Sequence, residues 1–183
     1  MIIIKKLNEF SIEHLKSFSE QKYISEFKYD IIREINKNEV TFKFKMVKLE
    51  VPFVKVWTAT KSIYEDYLSL LRQGNSFGAF KEDALAGFVL SDKRSWNNSL
   101  RIEMIQVADV FRNNGTGSLL LVALEEHARK YNYRMIELET QNTNIPAIKF
   151  YSKNGYEISG LNVNLYDPAE VKNETAVFMS KKI

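Results

Sequence analysis

The 183-residue sequence has no cysteine and only two histidines, His14 and His127. Without cysteine the chain forms no disulfide, offers no thiolate nucleophile and has no ligand for a sulfur-bound zinc or iron–sulfur site. The two histidines lie too far apart in the sequence for the short spacing that a metal-ligating pair usually shows. These absences exclude thiol chemistry, and we expect no bound metal.

Glycine and proline are scarce as well, with 7 and 3 residues, and they are spread along the chain instead of forming a linker. No stretch reaches the roughly 18 apolar residues of a membrane span, and the apolar run at residues 2–4 is far shorter than a signal-peptide core. The 26 basic and 23 acidic residues leave a net charge of +3 and form no basic stripe. We therefore expect one cytoplasmic domain over residues 1–183 that binds neither nucleic acid nor membranes.

Strand and helix patterns make up most of the sequence. Residues 40–49 alternate between apolar and cationic side chains, as in a strand with one solvent-facing side, and Pro52 is expected to interrupt that run. Apolar residues recur with helical spacing over residues 120–131, which leaves Glu125 on the outer face. Residues 21–38 show neither pattern clearly. Further strands are predicted at residues 2–6, 76–80, 85–90, 100–108, 135–140, 156–159 and 176–181, and further helices from Ser11 to about Glu20 and at residues 62–72 and 144–154.

This order of elements predicts an α/β protein with a mixed, mostly antiparallel central sheet flanked by helices. The strands at residues 76–80, 85–90 and 100–108 follow one another through short turns, so we expect three antiparallel neighbours. The later strands alternate with helices, which favours helices on both faces of the sheet.

A short polar loop at residues 112–118, Arg-Asn-Asn-Gly-Thr-Gly-Ser, connects a strand directly to a helix. The first turn of a helix has N–H groups without an intrahelical acceptor, and the helix dipole favours negative charge there. The spacing fits neither a dinucleotide fingerprint, because Leu120 replaces the third glycine, nor a nucleotide P-loop, because no lysine follows Gly117. The loop predicts an anion site or, alternatively, a turn that uses glycine for geometry alone.

Taken with a second segment, this loop resembles the GNAT superfamily of N-acetyltransferases. Their acetyl-coenzyme A site is an Arg/Gln-x-x-Gly-x-Gly/Ala loop between strand and helix, matched here by Arg112, Gly115 and Gly117. Their second signature, Asn-x-x-Ala-x-x-Phe-Tyr-x-x-x-Gly-Phe, is similar to residues 144–156. The resemblance implies the GNAT fold, with acetyl-coenzyme A as cosubstrate and a cofactor-binding core over roughly residues 75–160.

A narrower resemblance, to streptothricin acetyltransferases, rests on residues 101–103, 138–141, 165–166 and 176–178. Those enzymes acetylate the β-lysyl amine of a cationic antibiotic, so the resemblance implies a role in antibiotic resistance. Two positions depart from the pattern. Asn113 stands where glycine commonly follows the arginine, and Met104 stands where those enzymes carry an acidic residue. Asparagine tolerates left-handed backbone geometry, so the first departure is mild.

On the GNAT pattern, the loop amides would hold the pyrophosphate of coenzyme A, with Arg112 at the start of the loop. The strand before it would pair with the pantetheine arm, and the Val107 N–H would polarise the thioester carbonyl. Asn144 would hydrogen-bond the pantetheine or serve only as the N-cap of its helix. The resemblance thus implies these cofactor-binding residues: Ile105, Gln106, Val107, Arg112, Asn113, Asn114, Gly115, Thr116, Gly117, Ser118 and Asn144.

Tyr151 is the implied general acid, because the departing thiolate needs a proton and an unperturbed tyrosine is protonated at neutral pH. The attacking amine must first lose a proton, and Glu103 and Glu139 are the candidate carboxylates for that step. Each is alternatively a sheet-edge carboxylate paired with Arg101 or a lysine.

The sequence therefore predicts an N-acetyltransferase that moves acetyl from acetyl-coenzyme A directly to a primary amine of a small cationic molecule, with a streptothricin-type antibiotic as the candidate acceptor. No acyl-enzyme is expected without a cysteine. Two alternatives are a protein or peptide N-acetyltransferase of the same fold and a non-catalytic acyl-coenzyme A sensor. We expect a monomer or homodimer, a packed core role for His127, and either a pocket-lining or a turn role for Tyr166.

Overall fold

Residues 1–18, 21–57, 60–169, 171 and 174–183 are described by the computed structural model, except for the side chains of residues 15–17 and 21. The strands are β1 (Ile2–Lys6), β2 (Gln21–Asn36), β3 (Glu39–Trp57), β4 (Phe77–Lys81), β5 (Ala84–Arg94), β6 (Ser99–Val107), β7 (Met135–Gln141), β8 (Glu157–Asn162) and β9 (Ala176–Lys182). The helices are α1 (Ile12–Ser17), α2 (Lys61–Arg72), α3 (Thr116–Lys130) and α4 (Ile145–Lys153), and a 3-10 turn at Asp109–Phe111 precedes α3.

The strands form one sheet of seven, in the order β1-β4-β5-β6-β7-β9-β8, and one of two, β2-β3. Strands β4, β5 and β6 are antiparallel neighbours, with Gly78 opposite Phe88 and Val89 opposite Ile105. Strand β6 runs parallel to β7, with Leu100 opposite Ile136. The mixed, mostly antiparallel sheet predicted from the order of elements is therefore confirmed.

The chain divides into two compact units, of which the first comprises Met1–Gln21, Trp57–Leu138 and Ser180–Ile183. A Cβ added to Gly87 would lie 3.4 Å from the Leu120 side chain, so α3 covers the face of β5 on which Gly87 lies. Because side chains alternate along a strand, the neighbouring Phe88 points to the opposite face. There it belongs to a buried cluster with Leu7, Phe10, Phe18, Tyr67, Leu71 and Leu90.

The second unit comprises Lys22–Val56 and Glu139–Met179. Its strands β2 and β3 form a long hairpin around a two-residue turn at residues 37–38. Aromatic pairs link the two strands: the Tyr23 and Phe53 ring centroids are 5.9 Å apart, and those of Tyr29 and Phe44 are 5.7 Å apart. Such cross-strand contacts stabilise the pairing of the two strands.

Two sequence-based expectations need correction, and one segment without a predicted structure is now assigned. Pro52 does not interrupt a strand, because β3 continues to Trp57. Either strand of a two-stranded sheet has a free edge, where a missing N–H removes no ladder hydrogen bond. Residues 21–38, which showed no clear pattern, contain β2. Glu125 is buried rather than outward-facing and accepts hydrogen bonds from Lys181, whose Nζ lies 2.8 Å away.

The predicted N-cap of helix α1 is confirmed. Ser11 caps α1, its hydroxyl accepting from the His14 N–H at 3.1 Å. Helix α1 ends at Ser17, and the predicted end near Glu20 lies outside the described residues.

No helix in the described part of the chain has the length and hydrophobicity to span a bilayer. Among the same residues, no group of three or more His, Cys, Asp or Glu side chains converges as metal ligands would.

Candidate active site

A β-bulge at Glu103 shapes the middle of strand β6. Leu90 lies opposite Met104 while Ser91 lies opposite Ile102, so Glu103 is an extra residue without its own partner on β5. The parallel pairing of β6 with β7 runs from Ser99 to Ile102 and stops directly before the bulge. Bulges commonly end strand pairing in this way. Residues 103–107 therefore keep a free backbone edge within the described structure.

The hydrogen-bond alternation tells which amides face that free edge. The Ala108 N–H donates to the Ala86 carbonyl at 2.9 Å, which makes this a hydrogen-bonded pair of the β5–β6 ladder. Counting back by twos, Gln106 also directs its backbone toward β5, whereas Ile105 and Val107 direct theirs outward. Residues 105–107 were predicted to pair with the pantetheine arm. Of these three, Ile105 and Val107 direct their backbone groups toward the free edge.

The side chain of Gln106 has a different role from its neighbours. It is buried, and its amide Nε2 donates to the Phe18 carbonyl at 3.4 Å, whereas its Oε1 has no partner among the described residues. A Cβ on Gly87 would come within 2.9 Å of the Gln106 carbonyl oxygen, so only glycine allows the two strands to approach this closely. Gln106 therefore fixes the strand from which Val107 presents its N–H.

The polar loop after β6 adopts the geometry that an anion site needs. Asn113 and Gly115 both have left-handed backbones, with φ of 61° and 80°. Asparagine enters this region more readily than most residues, which explains why the substitution for glycine at position 113 is tolerated. Gly115 is the N-cap of α3, and a Cβ there would meet no atom within 4 Å. The space in front of the helix is therefore open to a ligand.

The helix start supplies the donors. The first intrahelical bond runs from the Leu119 N–H to the Gly115 carbonyl at 3.0 Å, so the N–H groups of Thr116, Gly117 and Ser118 have no acceptor within the helix. No acidic side chain lies in the first turn. The Thr116 hydroxyl is buried without a partner among the described residues. Three oriented N–H groups at a positive helix end fit a phosphate group.

Arg112 connects the loop to the strand. Its Nε donates to the Val107 carbonyl at 3.0 Å, and its Nη1 lies 2.9 Å from an oxygen of Asp109. The outward direction of the Val107 carbonyl agrees with the ladder alternation. Because Arg112 takes the carbonyl of Val107, the N–H of the same residue is the group that is left for a ligand at this point of the free edge.

Helix α4 in the second unit begins and ends as its sequence predicts. The Asn144 side chain accepts from the Ala147 N–H at 3.2 Å, which confirms its N-cap role, and Pro146 lies in the first turn. Tyr151 is 6% exposed, and burial raises its pKa well above the ordinary value. Tyr151 is therefore a protonated phenol at neutral pH.

The two candidate carboxylates differ in their partners. Glu103 lies 3.4 Å from Arg94 Nη2 and 3.3 Å from Arg101 Nε, so the predicted pairing with Arg101 is confirmed. Glu139 instead accepts a hydrogen bond from the Tyr166 hydroxyl, which in turn accepts from Gln141 Nε2 at 3.1 Å. Burial, followed by this bond to Glu139, raises the pKa of Tyr166. Glu103 is thus occupied by two guanidinium groups, whereas Glu139 has a neutral partner.

His127 is a packed core residue, as expected. It is buried, its Nε2 lies 2.9 Å from the Asn75 Oδ1, and its Nδ1 lies 3.2 Å from Lys6 Nζ. Burial, assisted by the positive charges of Lys6 and Lys130, lowers the pKa of His127 to about 4. A histidine that is buried, neutral at pH 7 and held on both nitrogens fits the packed core role that the sequence predicted.

No sequence pattern predicted the polar network of the second unit. Glu174 is buried and accepts from Tyr23, Lys55 and Thr143. Next to it lies a cleft of about 500 Å³, lined on its polar side by Lys28, Asp30, Asn142, Asn164, Tyr166 and Glu174. The partners of Glu174 are separated from it by up to 151 residues, so no local pattern could have found them. Tyr166 also lines this cleft.

Comparison with known proteins bears on the same residues. The model of the acetyltransferase (GNAT) family matches residues 45–156, which include β6, the loop, α3 and α4. The chain belongs to the GNAT family. The matched region includes the loop at residues 112–118 and the start of α4, the two segments that resemble the GNAT signatures.

Curated GNAT relatives include streptothricin acetyltransferases. The chain is 36% identical over 96 residues to the one from Streptomyces lavendulae, covering 52% of this chain and 51% of the relative. It is 36% identical over 86 residues to streptothricin acetyltransferase A of Bacillus subtilis, covering 47% and 50%. The matches span about half the length of these curated relatives.

Solved structures extend the likeness in fold to the whole chain. Nourseothricin acetyltransferase superposes with a TM-score of 0.76 and 25% identity over 99% of this chain and 98% of that one. A structure from Bacillus anthracis in complex with acetyl coenzyme A has a TM-score of 0.75 at 23% identity, covering 100% of both chains. The described architecture is therefore the GNAT fold.

Proposed function

We propose that this protein is an acetyl-coenzyme A-dependent N-acetyltransferase that acts on a primary amine of a small cationic acceptor. One observation carries the proposal. In the first unit, a strand with a free backbone edge at Ile105 and Val107 leads into a left-handed loop and the open N-terminus of α3. A hydrogen-bonding edge beside an anion site suits an extended ligand that ends in a pyrophosphate.

The proposed cofactor contacts follow from that geometry. The N–H groups of Thr116, Gly117 and Ser118, with those of Asn113, Asn114 and Gly115 before them, hold the pyrophosphate of acetyl-coenzyme A. The outward backbone of Ile105 and Val107 pairs with the pantetheine arm, and Asn144 is a further proposed contact of that arm. Arg112 keeps the loop against β6 through its bond to the Val107 carbonyl, at 3.0 Å. The cosubstrate supplies an activated acetyl group as a thioester.

Two groups of the chain assist the proposed transfer. The Val107 N–H donates to the thioester carbonyl and stabilises the negative charge that develops on its oxygen. Tyr151 donates its phenolic proton to the departing thiolate sulfur. The raised pKa of Tyr151, which results from burial, keeps the phenol protonated when the transfer begins. A direct attack by the amine requires no acyl-enzyme, and the chain has no cysteine to form one.

Glu139 is the carboxylate that we assign to the acceptor amine. A base must have a lone pair to offer, and both guanidinium groups near Glu103 compete for its oxygens. Among the described residues, Glu139 accepts its hydrogen bond from the neutral Tyr166 hydroxyl, which fixes the orientation of the carboxylate without neutralising its charge. An ionised carboxylate there attracts an ammonium group and then accepts its proton directly or through a water molecule.

We propose a streptothricin-type antibiotic as the acceptor, supported by the likeness to streptothricin acetyltransferases at 36% identity. The cleft of about 500 Å³ in the second unit, with Asp30 and Tyr166 in its lining, is the proposed acceptor site. Its volume suits a small molecule rather than a long peptide.

The test is thiol release from acetyl-coenzyme A across a panel of amines: streptothricin, free lysine, spermidine and a peptide with a free N-terminus. We expect thiol release with streptothricin, and mass spectrometry should show a product that is about 42 Da heavier because it carries one added acetyl group. Release only with the peptide would favour the protein N-acetyltransferase alternative. Binding of acetyl-coenzyme A without release from any amine would favour the sensor and contradict the proposal.

A further inference from the structure

A buried ion pair, Lys55–Glu174, lies at the centre of the second unit. The Glu174 side chain is 1% exposed and that of Lys55 is 20% exposed. The same carboxylate accepts from the Tyr23 hydroxyl at 3.0 Å and from the Thr143 hydroxyl at 2.6 Å. A carboxylate this deeply buried requires such partners, because charge without them is strongly disfavoured away from water.

The three side chains that donate to Glu174 come from three separate parts of the chain. Tyr23 lies in β2 and Lys55 in β3, so the base of the hairpin contributes two of them. Thr143 lies in the connection between β7 and α4, next to the N-cap Asn144. The Tyr23 and Thr143 hydroxyl oxygens are themselves 2.6 Å apart. The ion pair therefore joins the hairpin to the start of α4.

Further hydrogen bonds fix the same connection. The Asn142 side chain donates to the Tyr29 carbonyl and accepts from the Thr175 N–H, both at 2.8 Å. The Asn142 carbonyl accepts from the Tyr29 N–H at 2.9 Å. Residues 142–144, which we call the α4 corner, are thus held by β2 on one side and by residues 174–175 on the other. Such a connection has little freedom to shift.

Lys55 also contacts the side of the unit that carries Glu139. Its Nζ lies 5.6 Å from the centre of the Tyr166 ring, within reach of a cation–π interaction. The hydroxyl of the same ring donates to Glu139. The Lys55 ammonium group therefore contacts both Glu174, which binds the α4 corner, and the Tyr166 ring, whose hydroxyl binds Glu139.

We infer that the Lys55–Glu174 pair is a positioning device, which holds the α4 corner and the Tyr166 ring where catalysis requires them. The inference rests on the proposed function, in which Tyr151 donates a proton and Glu139 receives one. Tyr151 lies two helical turns beyond the corner, so a shift of the corner moves its hydroxyl with the helix. A displacement of about 1 Å at a reacting group costs up to about 100-fold in rate. The hairpin is thereby an integral support of the active site.

The experiment compares Lys55→Met with Lys43→Met, which removes the exposed partner of Glu34 on the same hairpin. We expect Lys55→Met to lower kcat by about 10-fold or more and to change the acetyl-coenzyme A Kd by less than about 3-fold, because all the proposed cofactor contacts except Asn144 lie in the first unit. Lys55→Arg, which preserves the charge, should restore at least half of the lost kcat. Lys43→Met should retain the wild-type kcat.

Hydrogen exchange supplies a readout that does not depend on turnover. Amides of residues 143–151 should exchange faster in Lys55→Met than in Lys43→Met, even if no amine acceptor is found for the wild type. If Lys55→Met does not fold, Tyr23→Phe, which removes a single hydrogen bond to Glu174, should give a smaller change in the same direction. Unchanged kcat and unchanged exchange in a folded variant would overturn the inference. If the wild type acetylates no amine but Lys55→Met still exchanges faster than Lys43→Met, the result would count against the proposed function alone.

Discussion

The proposed cofactor loop of the first unit and the α4 corner of the second unit each hold functional groups in place, but by opposite means. The loop consists of seven consecutive residues, 112–118, whose backbone amides are the proposed ligand-binding groups. The corner depends on side chains that are far apart in the sequence, such as Lys55 and Glu174, separated by 119 residues. A local device is readable from sequence, whereas a distributed one becomes visible only when the fold is known.

The two devices also differ in what breaks them. A backbone site tolerates most side chains but not the wrong backbone geometry or an added negative charge. A buried ion pair fails when either partner is removed, because the remaining charge stays in the interior. Substitutions in the loop should therefore affect cofactor binding, and those around the corner should affect turnover. The following experiments test that separation.

The largest effect is expected for Gly117→Glu in the loop. A carboxylate in the first turn of α3 would compete with the pyrophosphate for the same N–H groups and repel it. Calorimetry should show a loss of acetyl-coenzyme A affinity of about 100-fold or more. The matched control is Val122→Glu, the same charge change at an exposed position farther along α3, which should keep its affinity. Equal affinities in both variants would remove the phosphate site from the first turn.

The next effect is on the chemical step. Tyr151→Phe removes the proposed proton donor and leaves the ring packing against Tyr156, whose centroid lies 5.6 Å away. We expect kcat to fall about 100-fold, with the acetyl-coenzyme A Kd within about 2-fold of wild type. Stopped-flow thiol release, measured together with calorimetry, separates the two quantities. Wild-type turnover in Tyr151→Phe would exclude the acid role.

A smaller contrast separates the two carboxylates. Glu139→Gln should lower kcat/KM for the amine by about 30-fold, because it removes the carboxylate that receives the proton. Glu103→Gln should change the same ratio by less than about 3-fold, since this side chain is already bound by Arg94 and Arg101. Steady-state kinetics at saturating acetyl-coenzyme A measure both. The reverse ranking would assign the base to the bulge in β6.

The smallest effect concerns stability. The folded protein holds His127 with a pKa of about 4, mainly through burial, whereas the unfolded chain has the ordinary pKa of about 6.5. Between these values the unfolded state binds more protons, so the free energy of unfolding falls as the pH drops from about 6.5 to 4. Urea unfolding at pH 7 and pH 5 should show a greater loss for the wild type than for His127→Gln. Equal losses would mean that His127 titrates normally.

The sequence allowed much of the first unit to be predicted. Strand β1 has its predicted bounds, and the polar loop at residues 112–118 leads from strand β6 into helix α3 as predicted. These features depend on local periodicity and local backbone preference, which a single sequence displays. The Asn144 N-cap in the second unit was predictable for the same reason.

Other features depend on tertiary packing and could not be read locally. Strand β2 has mixed polar and apolar residues because its neighbours change along its length, so no single period describes residues 21–36. Glu125 has the helical position of a surface residue but is buried by its pairing with Lys181, a residue 56 positions away. The burial of Glu174 likewise follows from donors on β2, β3 and the α4 corner. In each of these places, the structure depends on residues that are far away in the sequence.

A calorimetric titration of the wild-type protein tests the central claim most directly. It compares acetyl-coenzyme A with S-acetylpantetheine, which keeps the thioester and the whole pantetheine arm but lacks the pyrophosphate and the nucleotide. If the backbone amides of residues 113–118 hold the cosubstrate through its pyrophosphate, acetyl-coenzyme A will bind at a single site and the truncated thioester will bind at least about 100-fold more weakly. Equal affinities for the two, or no binding of acetyl-coenzyme A, would contradict the account.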